Sequence, residues 1–311
     1  MLTFLLRRLL AAIPTLFGVA LITFVLFNLV GGDPTYQMLG KHATAQQVAE
    51  LRHEYGFDRP LPIQFVDYLK QIVTFDFGRS YATKQEISSM ISNSLGPSMS
   101  LAIPAFIVTT LLGIVIALLV AYHRGRAVDR VGVVLCVIGM SLPSLAYILF
   151  GQYVLAYQMG WFPISGWDSE WSERWSYISM PLLIWVAVSL GHEVRFFRTA
   201  ILEETGQDYV RTARAKGLPE KRVFFKHVLK NSMVPIVTNV VLEIPLLILG
   251  AFLLEGFFGI PGIGSMTIDA VNNSDLPVLK AMTTLTSFLM IFGNLMTDVV
   301  YTWVDPRVSL K

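Results

Sequence analysis

Charge is scarce in this 311-residue chain. Lys and Arg number 24 and Asp and Glu 22, together 15% of the residues, against roughly 25% in an ordinary soluble domain. With 54% of residues hydrophobic, there is too little charge to cover the solvated faces of one or two soluble domains. A soluble enzyme and a disordered chain are therefore excluded. Cysteine is almost absent. Cys136 stands alone in an apolar run, which excludes an intramolecular disulfide, a disulfide scaffold and a Cys-based metal site. The five histidines (His42, His53, His123, His192 and His227) are scattered, with no H-x-x-x-H pair to hold a metal from one helix face. No G-x-S-x-G nucleophile motif occurs. The glycines of Gly259–Gly264 are not followed by Lys-Ser/Thr, so that run is no phosphate loop and reads as a turn or re-entrant bend. The net charge of +2 is too small to imply a nucleic-acid partner.

Long apolar runs are abundant. About 18 or more apolar residues cross a hydrocarbon core of ~30 Å as a helix, and five runs qualify: Leu9–Val30, Met99–Ala121, Val131–Leu155, Val234–Leu254 and Ala281–Trp303. A sixth, Ile178–Gly191, is short before His192 and Glu193. Its helix is expected to continue through Val194, Phe196, Phe197 and Ile201, with Arg195 and Arg198 reaching toward the interface. The reading is an all-α polytopic membrane protein of six transmembrane helices. The first run is longer than a signal-peptide core and lacks a clean cleavage pattern, so it reads as an uncleaved anchor.

Orientation follows from Lys and Arg in short loops. One side carries two before Leu9, three in 122–130, nine in 195–230 and two after Trp303; the short loops of the other side carry only Arg174 and Lys280. Both termini are thus expected in the cytoplasm. Trp161, Trp167, Trp171 and Trp175 crowd one external loop, as indole rings do at headgroup level. The chain divides into 1–30 (cytoplasmic tip and first helix), 31–98 (an external helical cap) and 99–311 (the core). In the cap, Thr44 and Gln47 read as a capping box. Val48, Leu51 and Tyr55, then Ile63, Val66, Leu69 and Ile72, read as apolar helix faces.

The cytoplasmic segment 195–230 holds nine of the 24 basic residues. Within it, Asp208, Tyr209, Val210, Arg211, Thr212, Ala213, Arg214, Ala215 and Lys216 form a helix with acid toward its start and base toward its end, as the helix dipole favours. Gly217 fits a left-handed C′ residue and Pro219 blocks continuation. Tyr209, Thr212, Ala213 and Lys216 share a face whose small members admit a close-packed partner. The next helix carries a basic stripe, Arg222, Lys226 and Lys230, beside Phe224, Phe225, Val228 and Leu229. One reading is a basic helix lying on anionic lipid; the other is a docking helix for a cytoplasmic partner, which the tight helix–Gly–Leu–Pro–helix turn favours.

The run Asp208–Leu218 resembles the cytoplasmic signature loop of the binding-protein-dependent ABC importer permeases, in the dipeptide/oligopeptide/nickel branch. So do Arg7–Arg8 with Pro14, Gly18 and Gly31–Pro34, Ser141–Pro143, Pro163–Gly166, Glu255–Gly264 and Val304–Val308. The resemblance implies the type I permease fold, with one peripheral N-terminal helix and a five-helix core. It also implies a second homologous permease, two cytoplasmic ATPases that bind ATP and Mg, and an extracytoplasmic solute-binding protein. This chain itself would bind no cofactor, and Asp208 to Gly217 would meet the ATPase.

Glu243 departs from the branch, where Gln usually stands in a Gly-rich context; here Ile244 and Pro245 follow it. It lies about 14 Å into its span at 1.5 Å per residue. A carboxylate at that depth faces protein or a water-filled cavity, so Glu243 is either an interhelical contact or a pathway residue for cationic solutes. Pro245 is expected to kink the same helix. The rival functions are a self-contained secondary transporter or channel, which usually needs several ionisable groups at depth or repeated halves, and a membrane-embedded enzyme. A single deep carboxylate argues against the first, and the missing catalytic constellation against the second.

Overall fold

The computed structural model describes residues 2–30, 35, 39 and 43–304; Gly31–Pro34, His42 and Asp305–Val308 lie outside them. Among the described residues all regular structure is helical, save one isolated bridge between Arg79 and Glu86. The helices are α1 (Leu2–Val25, running on in wider turns to Val30), α2 (Ala45–Glu54), α3 (Leu61–Thr74), α4 (Ile87–Tyr122), α5 (Ala127–Ser141), α6 (Ser144–Gln158), α7 (Trp171–Thr205), α8 (Asp208–Ala215), α9 (Glu220–Ile248), α10 (Phe252–Phe258), α11 (Ile263–Asn272) and α12 (Leu276–Val304). Helices α1, α4, α7, α9 and α12 are each long and apolar enough to cross a membrane, and the bent pair α5–α6 supplies the sixth span.

The run Val131–Leu155, expected as one straight span, is broken. Helices α5 and α6 meet at 91°. Pro143 disfavours helical backbone at the residue before it, and Leu142 is extended, with φ −87° and ψ 131°. The Tyr147 hydroxyl donates to the Gly139 carbonyl at 2.9 Å across the bend, satisfying a carbonyl freed by the break. Helix α4 starts at Ile87, before Met99, and at 36 residues is about 54 Å long. Helix α9 starts at Glu220, so the basic stripe and the span form one element. It ends before Gly250, where φ is +73°, so Val234–Leu254 is not continuous.

The long α7 bears out the expected extension past His192. Arg198, expected to reach toward the interface, instead pairs with Asp129 at the start of α5, Nη2 to Oδ1 at 2.6 Å, and Asp129 also accepts the Gly125 N–H at 2.8 Å. Helices α5 and α7 pack closely because Gly191 has no Cβ; one would stand 2.9 Å from the Cys136 carbonyl oxygen.

Helix α1 is peripheral, packing on α12 and α3, with Leu10, Ile13 and Ile22 exposed. The Thr44–Gln47 capping box forms as expected. In α3, Leu69 and Ile72 face inward as expected, but with Phe65 and Tyr68 rather than Ile63 and Val66, which are 48% and 62% exposed. The spacing 65, 68, 69, 72 follows the 3.6-residue period, whereas 63, 66, 69, 72 drifts off it. Tyr68 bonds Thr284 of α12 at 2.9 Å. The segment before α4 is pinned by Asp275, just ahead of α12, which accepts from the Ser80 hydroxyl and from the Tyr81 N–H at 3.0 Å. Tyr81 in turn meets Tyr55 at the close of α2, their ring centres 5.5 Å apart, so these contacts gather α2 and α3 at one end of the bundle. Helix α8 sits at the other end, against Ala117 and Ala121 near the close of α4.

Candidate functional site

Helix α8 is short, so its ends matter most. Asp208 occupies the first turn and Arg214 the last. Lys216 closes the helix and Gly217 follows with φ +76°. The Gly217 N–H donates to Arg214 O at 2.9 Å and the Leu218 N–H to Ala213 O at 3.4 Å. Those two bonds are the Schellman pair that satisfies orphan carbonyls at a helix end, so the expected C′ role of Gly217 is met. Arg214 then grips Glu220 with two bonds, at 2.6 and 3.1 Å, across the turn, fixing the angle between α8 and α9. Tyr209 donates to Glu204 at the end of α7. Burial and the adjacent Glu204 carboxylate push its phenol up to about 12, so the hydroxyl stays a neutral donor.

One face of α8 is committed to this chain. Val210 is fully buried and Ala213 is 5% exposed, packed with Ala117 and Ala121 of α4, Phe197 and Ile201 of α7, and Val223, Phe224 and Val228 of α9. Ala213 therefore does not join Tyr209, Thr212 and Lys216 on an open face, as its spacing suggested; it is turned inward, where a small side chain lets α8 lie close to α4 and α7. Asp208, Arg211, Thr212 and Ala215 are exposed. On α9, Arg222, Lys226 and Lys230 are exposed while Val223, Phe224 and Val228 are buried; Phe225 is exposed rather than packed.

Farther along, the helices under α8, together with α6 and the segment 250–254, line an open cavity of about 630 Å³. Thr109 of α4, His192 and Glu193 of α7, and Glu243 of α9 line it. Glu243 accepts from Asn239 on its own helix at 2.9 Å. The carboxylate is thus held within α9 and faces the cavity. Pro245 is buried two residues on. Gly293 of α12 makes room for it, since a Cβ there would stand 2.2 Å from Pro245 Cγ. Glu243 is not a lone deep carboxylate: Glu193, 4% exposed, lines the same space about 18 Å from the end of α7. The continuation of α7 past His192 is as expected, but the sequence does not mark Glu193 as a cavity residue, because Glu243, which shares the cavity, lies on another helix.

Residues 109–310 match the family described as Binding-protein-dependent transport system inner membrane component, and residues 1–102 match the N-terminal component of the same transport systems. The chain belongs to this family of binding-protein-dependent permeases. It is 36% identical over 311 residues to the Glutathione transport system permease protein GsiC of Salmonella choleraesuis (strain SC-B67), covering 100% of both chains. GsiC of Escherichia coli (strain K12) is 33% identical over the same length. The permease is a non-catalytic, multi-pass inner-membrane component of a binding-protein-dependent ABC importer.

A further polar centre of the permease lies in the run Glu255–Gly264, of which Gly259–Gly264 was expected as a turn or re-entrant bend. Glu255 is fully buried. Its Oε1 accepts from the Ser98 hydroxyl at 2.8 Å and the Ala251 N–H at 3.0 Å, and its Oε2 from the Gly264 and Ser265 N–H groups at 2.7 and 3.2 Å. Gly264 and Ser265 open α11, so the carboxylate sits at a helix N-terminus, where negative charge is favoured. The glycines leave it room: a Cβ at Gly250 or Gly262 would stand 2.3 or 2.2 Å from its oxygens. An acidic residue in an apolar run flanked by glycines was the available signal.

Proposed function

We propose that this permease carries short peptides inward, glutathione-like tripeptides among them, and that α8 is the element through which two cytoplasmic ATPases drive it. The observation that carries the reading is mechanical. Helix α8 rests on α4, α7 and α9, and residues of the same three helices line the cavity. A push on the open Asp208–Arg211–Thr212–Ala215 face reaches the cavity through packed side chains, which resist deformation. Gly217 and the Arg214–Glu220 pair hold that lever at a fixed angle. ATP and Mg belong to the ATPases, and their closure must favour one transmembrane conformation over another. A second homologous permease completes the pathway, and the solute-binding protein approaches the end that carries α2 and α3. The substrate class rests on full-length similarity to GsiC. In proteoliposomes holding both permeases and both ATPases, the loaded binding protein should support uptake of labelled glutathione or a dipeptide only with ATP. Uptake by the permeases alone under a proton gradient would overturn the reading in favour of a secondary transporter.

The basic short loops favour cytoplasmic termini. In a Cys136→Ser background, Ser89→Cys at the α2–α3 end should react with an impermeant thiol reagent on intact cells, and Arg126→Cys should react only after lysis; both positions are exposed. The opposite pattern would invert the topology and remove α8 from the ATPases.

A further inference from the structure

The cavity is lined by two carboxylates and one imidazole. Glu193 and Glu243 both line it, and among its described lining residues there is no Lys or Arg; His192 is the other titratable one. Glu243 has Asn239 as a partner. Glu193 Oε2 has no hydrogen-bond partner although the residue is 4% exposed. This oxygen lies against α4, where the absence of a side chain at Gly113 makes room for it; a Cβ there would stand 3.0 Å away. A buried carboxylate left unpaired is costly, and a positive group entering the cavity would offset that cost. Phe106, Trp185 and Phe252 supply aromatic lining, which suits an organic cation better than a hydrated metal ion.

We infer that the cavity is a binding site for the ammonium group of the solute in transit, with Glu193 and Glu243 as its two anionic contacts. This rests on the reading of the chain as a solute pathway and adds a chemical requirement to it: a free amino group, which the N-terminus of a peptide supplies. Residues on α7 and α9 hold the two carboxylates, so displacement of either helix through α8 changes their separation and hence the grip on the cation. The binding protein can select the whole solute while this site reads only its charged end.

The test uses the assembled complex in nanodiscs and needs neither ATP nor transport. Ser189, which lines the cavity, is changed to Cys in a Cys136→Ser background. Rates are measured with a trimethylammonium and a sulfonate methanethiosulfonate, each normalised to its rate with a free thiol in solution. A site of this charge should favour the cationic reagent about tenfold or more. Glu193→Gln with Glu243→Gln should abolish the preference while the complex still elutes as a single assembly. Alaninamide should slow modification, and N-acetylalaninamide, which lacks the charge, should not. Equal normalised rates, protection by both amides, or no reaction with either reagent would overturn the inference. Because the readout is chemical, a complex that imports peptides without cation preference defeats this site alone, and one that keeps the preference but fails to import defeats the transport reading alone.

Discussion

Glu255→Gln should leave little correctly folded permease in the membrane. The wild-type carboxylate accepts four hydrogen bonds, three of them from backbone N–H groups. An amide offers one oxygen, and its NH2 faces donors at the other position. Each buried donor left without an acceptor costs roughly 1–3 kcal/mol, and the loss of negative charge at the start of α11 adds to it. Gly262→Ala should be comparably harmful by a steric route. Its Cβ would lie 2.2 Å from Glu255 Oε2 and 2.4 Å from Ser98 Oγ, and neither group can withdraw without abandoning its partners. Gly96→Ala is the control, a helical position of α4 with nothing within 4 Å of the new methyl, where alanine is favoured over glycine by about 1 kcal/mol. Membrane abundance and melting temperature in detergent decide the matter. If Gly262→Ala matches Gly96→Ala, the Glu255 hub is not what joins α4, α10 and α11.

Much of this architecture was legible in the sequence because membranes impose simple rules. Apolar length located the spans, and Gly217 with Pro219 located the end of α8, since few other residues meet those backbone demands. The failures have a common origin in tertiary direction. Val131–Leu155 is one apolar run, and hydropathy carries no sign of a 91° turn; Ser141–Leu142–Pro143 was read as a resemblance and not as a break. Glu193 and Glu243 lie fifty residues apart, and only the packing of α7 against α9 brings them to one cavity. Ala213 sits on the boundary between two helix faces. Spacing alone could not say that Val210 would draw it inward, because that depends on where α4, α7 and α9 lie. Glu255 is the converse case, in which a familiar glycine-rich run concealed the acid those glycines accommodate.

The inward turn of Ala213 sharpens the test of the lever. Ala213→Trp should reduce the amount of folded permease, because overpacking a filled site typically costs about 1–3 kcal/mol and Ala213 contacts the α4, α7 and α9 cluster. Thr212→Trp should behave differently. Thr212 is exposed and bonds only the Asp208 carbonyl of its own helix, at 2.9 Å, so a large side chain there obstructs an incoming ATPase without disturbing the bundle. Gly217→Val attacks the angle rather than the face. With φ at +76° and open space around it, valine meets backbone strain of roughly 1 kcal/mol or more and no steric clash. The chain should relieve that strain by reopening the turn, breaking the Leu218 N–H bond to Ala213 O and separating Arg214 from Glu220. Thr212→Trp and Gly217→Val should therefore reach the membrane at near-normal levels, co-purify poorly with the ATPases and lose most ATP-dependent uptake. Lys226→Gln, which removes one exposed charge, should change uptake little. A helix that merely lies on anionic lipid predicts the reverse ranking, with Lys226→Gln the most damaging and Gly217→Val tolerated. Full ATPase retention in both Thr212→Trp and Gly217→Val would mean that Asp208–Gly217 is not the docking element.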